Sequence, residues 1–193
     1  MEIITHRINT IQQLKNTPTK YGVELDLRDF DNRLILQHDP YKDGEDFEKY
    51  LEHYQHATMI LNIKSEGIEF CILELLREYE IENYFFLDSS FPMVYLLSEQ
   101  GEKNIALRFS EFEGLDTILI MKDRIKWVWT DCFNVSPINK KNSELLKSVG
   151  FNICIVSPEL QNRKNDISKY IEFITTQDIR VDAVCTKFPE LWD

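Results

Sequence analysis

The sequence predicts an α/β protein built as a compact (β/α)8 barrel, and three observations carry that prediction. Short runs rich in β-branched and aromatic residues recur along the chain, segments with helical spacing separate them, and charged side chains stand where the apolar runs stop. Alternating strands and helices are the mark of a parallel sheet, and such sheets keep their chemistry at the C-terminal ends of the strands. An open doubly wound sheet is the competing architecture.

Eight runs read as strands: residues 2–5, 22–27, 58–63, 84–87, 104–108, 126–130, 152–156 and 181–186. Helical spacing is clearest over 68–79, where Ile68, Cys71, Ile72, Leu75 and Leu76 recur on one face, and again over 143–149 and 167–175. A further helix is expected to begin near Phe91, helped by Ser89, Ser90 and Pro92. The stretch 115–121, with Leu115, Ile118, Leu119 and Met121, reads either as a short helix or as part of a strand. No linker, low-complexity tract or charge block interrupts the pattern, so residues 1–193 are expected to form one domain. A barrel in 193 residues requires short helices.

Composition narrows the function. Thirty-three acids against 22 bases give a net charge of −11, which disfavours nucleic acid and anionic membranes as nonspecific partners. An anionic substrate would need a local cluster of Arg and Lys to override that field. The apolar runs, such as 84–87 and 118–121, fall far short of the ~20 residues of a membrane span. Met1-Glu2-Ile3 opens without the basic and apolar stretches of a signal peptide, so a cytoplasmic protein is expected. Cys71, Cys132, Cys154 and Cys185 form no CxxC spacing and read as buried, reduced thiols.

The polar residues at the ends of the apolar runs are His6 and Arg7, then Glu24, Asp26 and Arg28, His38, Asn62 and Lys64, Asp88, Arg108, Asp131 and Lys187. Residues two apart on a strand share a face, so Glu24 and Asp26 project together, as do Asn62 and Lys64. The pair reads either as a solvated strand-end face or, since a charged pair within a central strand is costly unless paired, as ligands of a divalent metal. Two imidazoles, paired carboxylates and fixed cations are the equipment of phosphodiester cleavage. Cations hold the phosphate, a metal neutralises developing charge, one His removes a proton and the other donates one.

The order of these residues resembles the glycerophosphodiester phosphodiesterase family and its phospholipase C-like barrel relatives. The resemblance rests on Thr5-His6-Arg7 with Asn9-Thr10, Gly22-Val23-Glu24-Leu25-Asp26-Leu27, Leu34-Ile35-Leu36-Gln37-His38-Asp39, Leu61-Asn62-Ile63-Lys64, and the closing Cys185-Thr186-Lys187-Phe188-Pro189-Glu190-Leu191. It is densest over residues 1–66. It implies His6 and His38 as the acid/base pair, Glu24 and Asp26 as ligands of Mg2+ or Ca2+, Arg7 and Lys64 as phosphate contacts, and a small glycerophosphodiester-like or sugar-linked phosphodiester as substrate. Three departures stand out. Ile8 replaces the usual Gly after His-Arg, Asn62 replaces a third acidic ligand, and there is little room between Asp39 and Thr58 for the small inserted domain of many members.

Other residues have two readings. Asp88 either supplies the carboxylate that Asn62 lacks or caps the helix near Phe91, and Arg108 is either a further phosphate clamp or a partner of Glu111 or Glu113. Trp127, Trp129 and Asp131 either cover a sugar or glycerol moiety or pack the sheet. His53 and His56 read as solvated surface, and Ser157-Pro158-Glu159 as a rim segment without chemistry. A function from another class is a barrel that has kept the phosphate pocket, lost catalysis and binds a phosphate-containing ligand or a partner. Asn62 supports that alternative, and the presence of both His6 and His38 opposes it.

Overall fold

The computed structural model describes residues Met1–Asp193. In chain order its strands are β1 (Glu2–Thr5), β2 (Gly22–Phe30), β3 (Arg33–Leu36), β4 (Glu45–Asp46), β5 (Met59–Ile63), β6 (Tyr84–Leu87), β7 (Ala106–Phe109), β8 (Trp127–Thr130), β9 (Asn152–Val156) and β10 (Ala183–Thr186). The helices are α1 (Ile11–Asn16), α2 (Phe47–Leu51), α3 (Glu69–Glu78), α4 (Phe91–Glu99), α5 (Asp116–Ile120), α6 (Lys140–Ser148) and α7 (Ile167–Thr176). The fold is α/β. Every expected run forms a strand, and the ambiguous stretch after Gly114 is helical.

Two strands were not expected. β2 runs on past Leu27, turns at Asp31 and Asn32, and returns antiparallel as β3, with Leu27 opposite Leu36 and Phe30 opposite Arg33. Both turn residues are left-handed, at φ 47° and 60°. Consecutive left-handed residues match the twist of a two-residue hairpin, and Asp and Asn tolerate them best after Gly. His38, read from sequence as the polar end of an apolar run, therefore follows the returning arm of a hairpin.

The chain divides into two compact units, Thr5–Leu96 and Met1–Ile4 with Leu97–Asp193. In the first, the strand order is β4-β3-β2-β5-β6. β2 and β5 are parallel with Asp26 opposite Asn62, and β6 continues the parallel set. Residues 22–27 and all of β5 are buried, so Glu24 and Asp26 lie inside the protein. α3 buries Ile72, Leu73, Leu76 and Glu69. Its apolar stripe is thus rotated from the expected one, and Cys71 is exposed, unlike the other three cysteines. His56 is half-buried rather than solvated, because its Nε2 lies 2.9 Å from the Thr17 carbonyl oxygen; His53 is exposed as expected.

In the second unit the order is β1-β10-β9-β8-β7, with β10, β9, β8 and β7 parallel. Glu159, buried beyond β9, accepts from Ser157 Oγ, from Thr186 Oγ1 at 2.6 Å and from the Lys187 N–H at 2.8 Å. The segment after β9 is therefore a clamp joining the ends of β9 and β10. A cleft of about 330 Å³, lined by Cys132, Pro158, Arg163, Tyr170 and Phe173 among others, holds none of the expected site residues. Burial pushes the Cys132 thiol up to about 12, so it is inert at neutral pH.

Candidate active site

Eight of the nine expected site residues belong to the Thr5–Leu96 unit, and seven of them form one connected cluster. Period-two geometry places Glu24 and Asp26 on the same face of β2, and the parallel register sets Asn62 beside Asp26. Glu24 Oε1 accepts from the Asn62 amide nitrogen at 2.8 Å, and Oε2 accepts from the Arg7 N–H at 2.7 Å. His6 Nε2 lies 3.6 Å from that same Oε2. Asp26 Oδ2 faces Arg7 Nε at 3.3 Å. From Asn62, Lys64 is two residues on, and its ammonium donates to Asn62 Oδ1 at 2.6 Å. The same ammonium stands 3.6 Å from Asp26 Oδ1 and 3.5 Å from Asp88 Oδ2.

Two strand ends in the cluster are bent into unusual backbone. Arg7 and Asp88 are left-handed, at φ 58° and 62°, although neither is glycine. Such conformations cost free energy and concentrate at functional sites. The turn at Arg7 also settles the departure at position 8. The left-handed residue is Arg7 itself, and Ile8 is buried with its N–H donated to the Glu24 carbonyl at 2.8 Å, so no glycine is needed there. The cap of α4 comes from Ser90, whose Oγ accepts the Met93 N–H at 3.4 Å, while Asp88 faces Lys64.

The electrostatics follow from burial. Glu24 and Asp26 are each 1% exposed. Burial, and after it the charge of Asp26, pushes the Glu24 carboxyl from 4.5 up to about 7, against the opposing pull of Asn62, the Arg7 N–H and Lys64.

His38 is the expected site residue of this unit left out of that cluster, and it is held through its backbone and its neighbour. Its carbonyl accepts from Arg28 Nη2 at 3.0 Å, and its Nδ1 pairs with Asp39 Oδ1 at 3.0 Å. Lys42 Nζ donates to the other Asp39 oxygen at 2.8 Å, and these two partners hold the Asp39 carboxyl down at about 2. A carboxylate on Nδ1 fixes the tautomer and leaves Nε2 for proton transfer. Asp39 and Asn9 stood in the quoted motifs but were given no role from sequence. Asn9 clamps Asp26 twice, donating from Nδ2 to Oδ2 at 2.8 Å and accepting the Asp26 N–H on Oδ1 at 2.9 Å. Their signal was adjacency: one follows His38 directly, and the other stands two residues beyond Arg7.

Arg108 belongs to the other unit. It donates to Asp131 Oδ2 at 2.7 Å. Glu111 accepts three successive N–H groups, from Phe133, Asn134 and Val135, and Glu113 takes the Ser110 hydroxyl. Asp131 also accepts from Gln161 Nε2 and the Cys132 N–H. Trp129 is 4% exposed and packs the sheet.

The donor chemistry of the cluster fits a hard cation. Asp26 Oδ1 is buried and accepts no hydrogen bond, and with the oxygens of Asn62 and Asp88 it surrounds one positive centre, the Lys64 ammonium. Carboxylate and amide oxygens are the ligands Mg2+ and Ca2+ take. No group of three or more His, Cys, Asp or Glu side chains is placed to hold a metal ion by itself.

No family model and no curated protein sequence matches the chain. Solved structures do. The glycerophosphodiester phosphodiesterase of Agrobacterium tumefaciens is similar at a TM-score of 0.70 and 17% identity, over 100% of this chain and 99% of that one. A putative glycerophosphoryl diester phosphodiesterase from the same organism gives a TM-score of 0.70 at 14% identity, covering 98% and 94%. A glycerophosphoryl diester phosphodiesterase from Parabacteroides distasonis gives 0.67 at 14%, covering 98% and 84%. The resemblance read from the sequence therefore holds for the fold over the whole chain.

Proposed function

We propose that the chain is a phosphoric diester hydrolase of the glycerophosphodiester phosphodiesterase type, a single-domain closed (β/α)8 barrel acting in the cytoplasm on a small phosphodiester. One observation carries the reading. In a chain with the fold of three such proteins, His6, Arg7, Glu24, Asp26, Asn62, Lys64 and Asp88 lie in one connected cluster. No helix is long and apolar enough to cross a membrane.

In this reading Arg7 and Lys64 hold the phosphate. His6 and His38 are the proton-transfer pair, one taking the proton of the attacking water or substrate hydroxyl, the other protonating the leaving alkoxide. Attack by the substrate's own hydroxyl gives a cyclic phosphate first. Each imidazole has an acidic side chain beside it, Glu24 for His6 and Asp39 for His38, and the Asp39 carboxylate stabilises the charged form of His38 that appears during transfer. Glu24, Asp26, Asn62 and Asp88 would hold Mg2+ or Ca2+, which supplies charge neutralisation at the phosphoryl oxygens when bound.

The test is hydrolysis of bis(p-nitrophenyl) phosphate and of a glycerophosphodiester panel, with and without chelator. Turnover that chelator abolishes supports the reading in full. Absence of turnover with retained phosphate binding favours the second reading, a non-catalytic phosphate-binding protein. The feature behind that second reading is Asn62, which donates to Glu24 where a third carboxylate would stand.

A further inference from the structure

The Lys64 ammonium lies among the oxygens of three of the four side chains that the proposed function assigns to a divalent cation, Asp26, Asn62 and Asp88. Its nearest oxygen is Asn62 Oδ1 at 2.6 Å, with Asp88 Oδ2 at 3.5 Å and Asp26 Oδ1 at 3.6 Å. The Lys64 side chain is 17% exposed and Asp26 only 1%, so this ammonium is largely withdrawn from water. Asp26 Oδ1 is buried and accepts no hydrogen bond, although Oδ2 of the same carboxylate is fully engaged by Asn9 and Arg7. The charge that faces that bare oxygen is the Lys64 ammonium.

We infer that Lys64 is a tethered cation that competes with a divalent ion for the oxygens of Asp26, Asn62 and Asp88, and that a phosphate group assembles the site by drawing Lys64 away. The inference rests on the reading of these residues as a cation site and goes beyond it by coupling two ligands. Like charges exclude one another at such distances, so an ammonium and a divalent ion cannot both sit within hydrogen-bonding range of Asn62 Oδ1. The charge count points the same way. Asp26 and Asp88 bring two negative charges and Asn62 none, and Arg7 already stands 3.3 Å from Asp26. With a carboxylate at position 62 the oxygens would favour a doubly charged ion more strongly; with an amide there, the single charge of Lys64 is nearer the match.

The lysine stem supplies the means of exchange. The Lys64 backbone is fixed by its N–H to the Leu27 carbonyl at 2.8 Å, while four flexible methylenes let the ammonium move without moving the strand. A phosphate group arriving at Arg7 offers that ammonium an anionic partner and leaves the three oxygens to a metal. Metal and phosphate must then raise each other's affinity by the same factor, since linkage is reciprocal. Either ligand alone meets a site already neutralised by the chain's own cations.

Calorimetric titration of the whole chain with Mg2+, with and without saturating inorganic phosphate, tests this on the wild type, Lys64→Met and Lys64→Arg. Wild type should bind Mg2+ about tenfold or more tightly with phosphate than without, within the usual range of coupling between sites. Without phosphate, Lys64→Met should bind Mg2+ at least about tenfold more tightly than wild type, and Lys64→Arg should not. Equal or weaker Mg2+ binding by Lys64→Met, or no binding by either protein, overturns the inference; melting curves confirm that the variants are folded. The outcome is separable from that of the proposed function: coupling without hydrolysis of any diester leaves the inference standing and removes the hydrolase, whereas chelator-sensitive hydrolysis without coupling does the reverse.

Discussion

Replacing Glu24 by Gln should change the pH dependence of stability more than stability itself. Burial raises the Glu24 carboxyl from 4.5 to about 7, so the folded protein prefers the neutral acid. A group raised in the folded state contributes stability that is fully present below its unfolded value, near 4.5, and is lost as pH rises through about 7. Each tenfold change in acidity corresponds to ~1.4 kcal/mol, so ionising Glu24 withdraws about 3 kcal/mol from the fold across that window. Gln cannot ionise and escapes this loss, but its amide turns a donor toward the Arg7 N–H, where Glu24 Oε2 accepts at 2.7 Å. An unsatisfied buried donor costs roughly 1–3 kcal/mol. The variant should therefore be the less stable protein near about pH 5 and equal or exceed wild type near about pH 8. Urea unfolding in chelator at a series of pH values measures the difference, which should grow by about 3 kcal/mol between those limits. Parallel stability curves for the two proteins would refute the argument, because Glu24 would then ionise in the fold as it does in the unfolded chain.

Other changes separate chemistry from scaffold. His6→Ala and His38→Ala should each lower turnover by ~10² to 10⁴-fold with unchanged melting, and a nitrophenyl ester, whose leaving group needs no proton, should rescue whichever variant has lost the acid. Asp39→Asn should lower kcat several-fold on an alkoxide leaving group without lowering the melting temperature, since the Asp39 side chain is 49% exposed and exposed pairs contribute little to stability. Glu159→Ala should do the opposite, costing roughly 2–4 kcal/mol in urea unfolding by stranding the Ser157 and Thr186 hydroxyls and the Lys187 N–H.

The parts of the fold that could be read from sequence were those governed by one local rule. β5, β6, β8, β9 and β10 are short β-branched or aromatic runs bounded by polar residues, and such runs declare themselves. The hairpin did not, because Asp31-Asn32 lacks the glycine that usually marks a two-residue turn, and Arg33-Leu34-Ile35-Leu36 has no alternation to separate a returning edge strand from one more parallel one. In the site, alternation along β2 and β5 was enough to put Glu24, Asp26, Asn62 and Lys64 on inward faces. Which atom meets which depends on the register of Asp26 against Asn62, a long-range fact absent from any window of sequence. The same limit explains Cys71: helical spacing said that α3 has an apolar face, but tertiary packing set its rotation, and that rotation leaves Cys71 outside.

Asn62 links the two unusual properties of the cluster. Its amide donates to Glu24 through Nδ2 and accepts from Lys64 through Oδ1, so one planar group holds a carboxylate on one side and an ammonium on the other. A carboxylate in its place could accept from Lys64 but could not donate to Glu24, and its charge would push the Glu24 acid further up. The amide thus limits the electrostatic cost of Glu24 while leaving the oxygens around Lys64 one negative charge short of what a tightly held divalent ion would prefer. These two consequences have one cause. Under the proposed exchange, a cluster that is bearable without metal is, for the same reason, one in which a second anion would have to help bring the metal in.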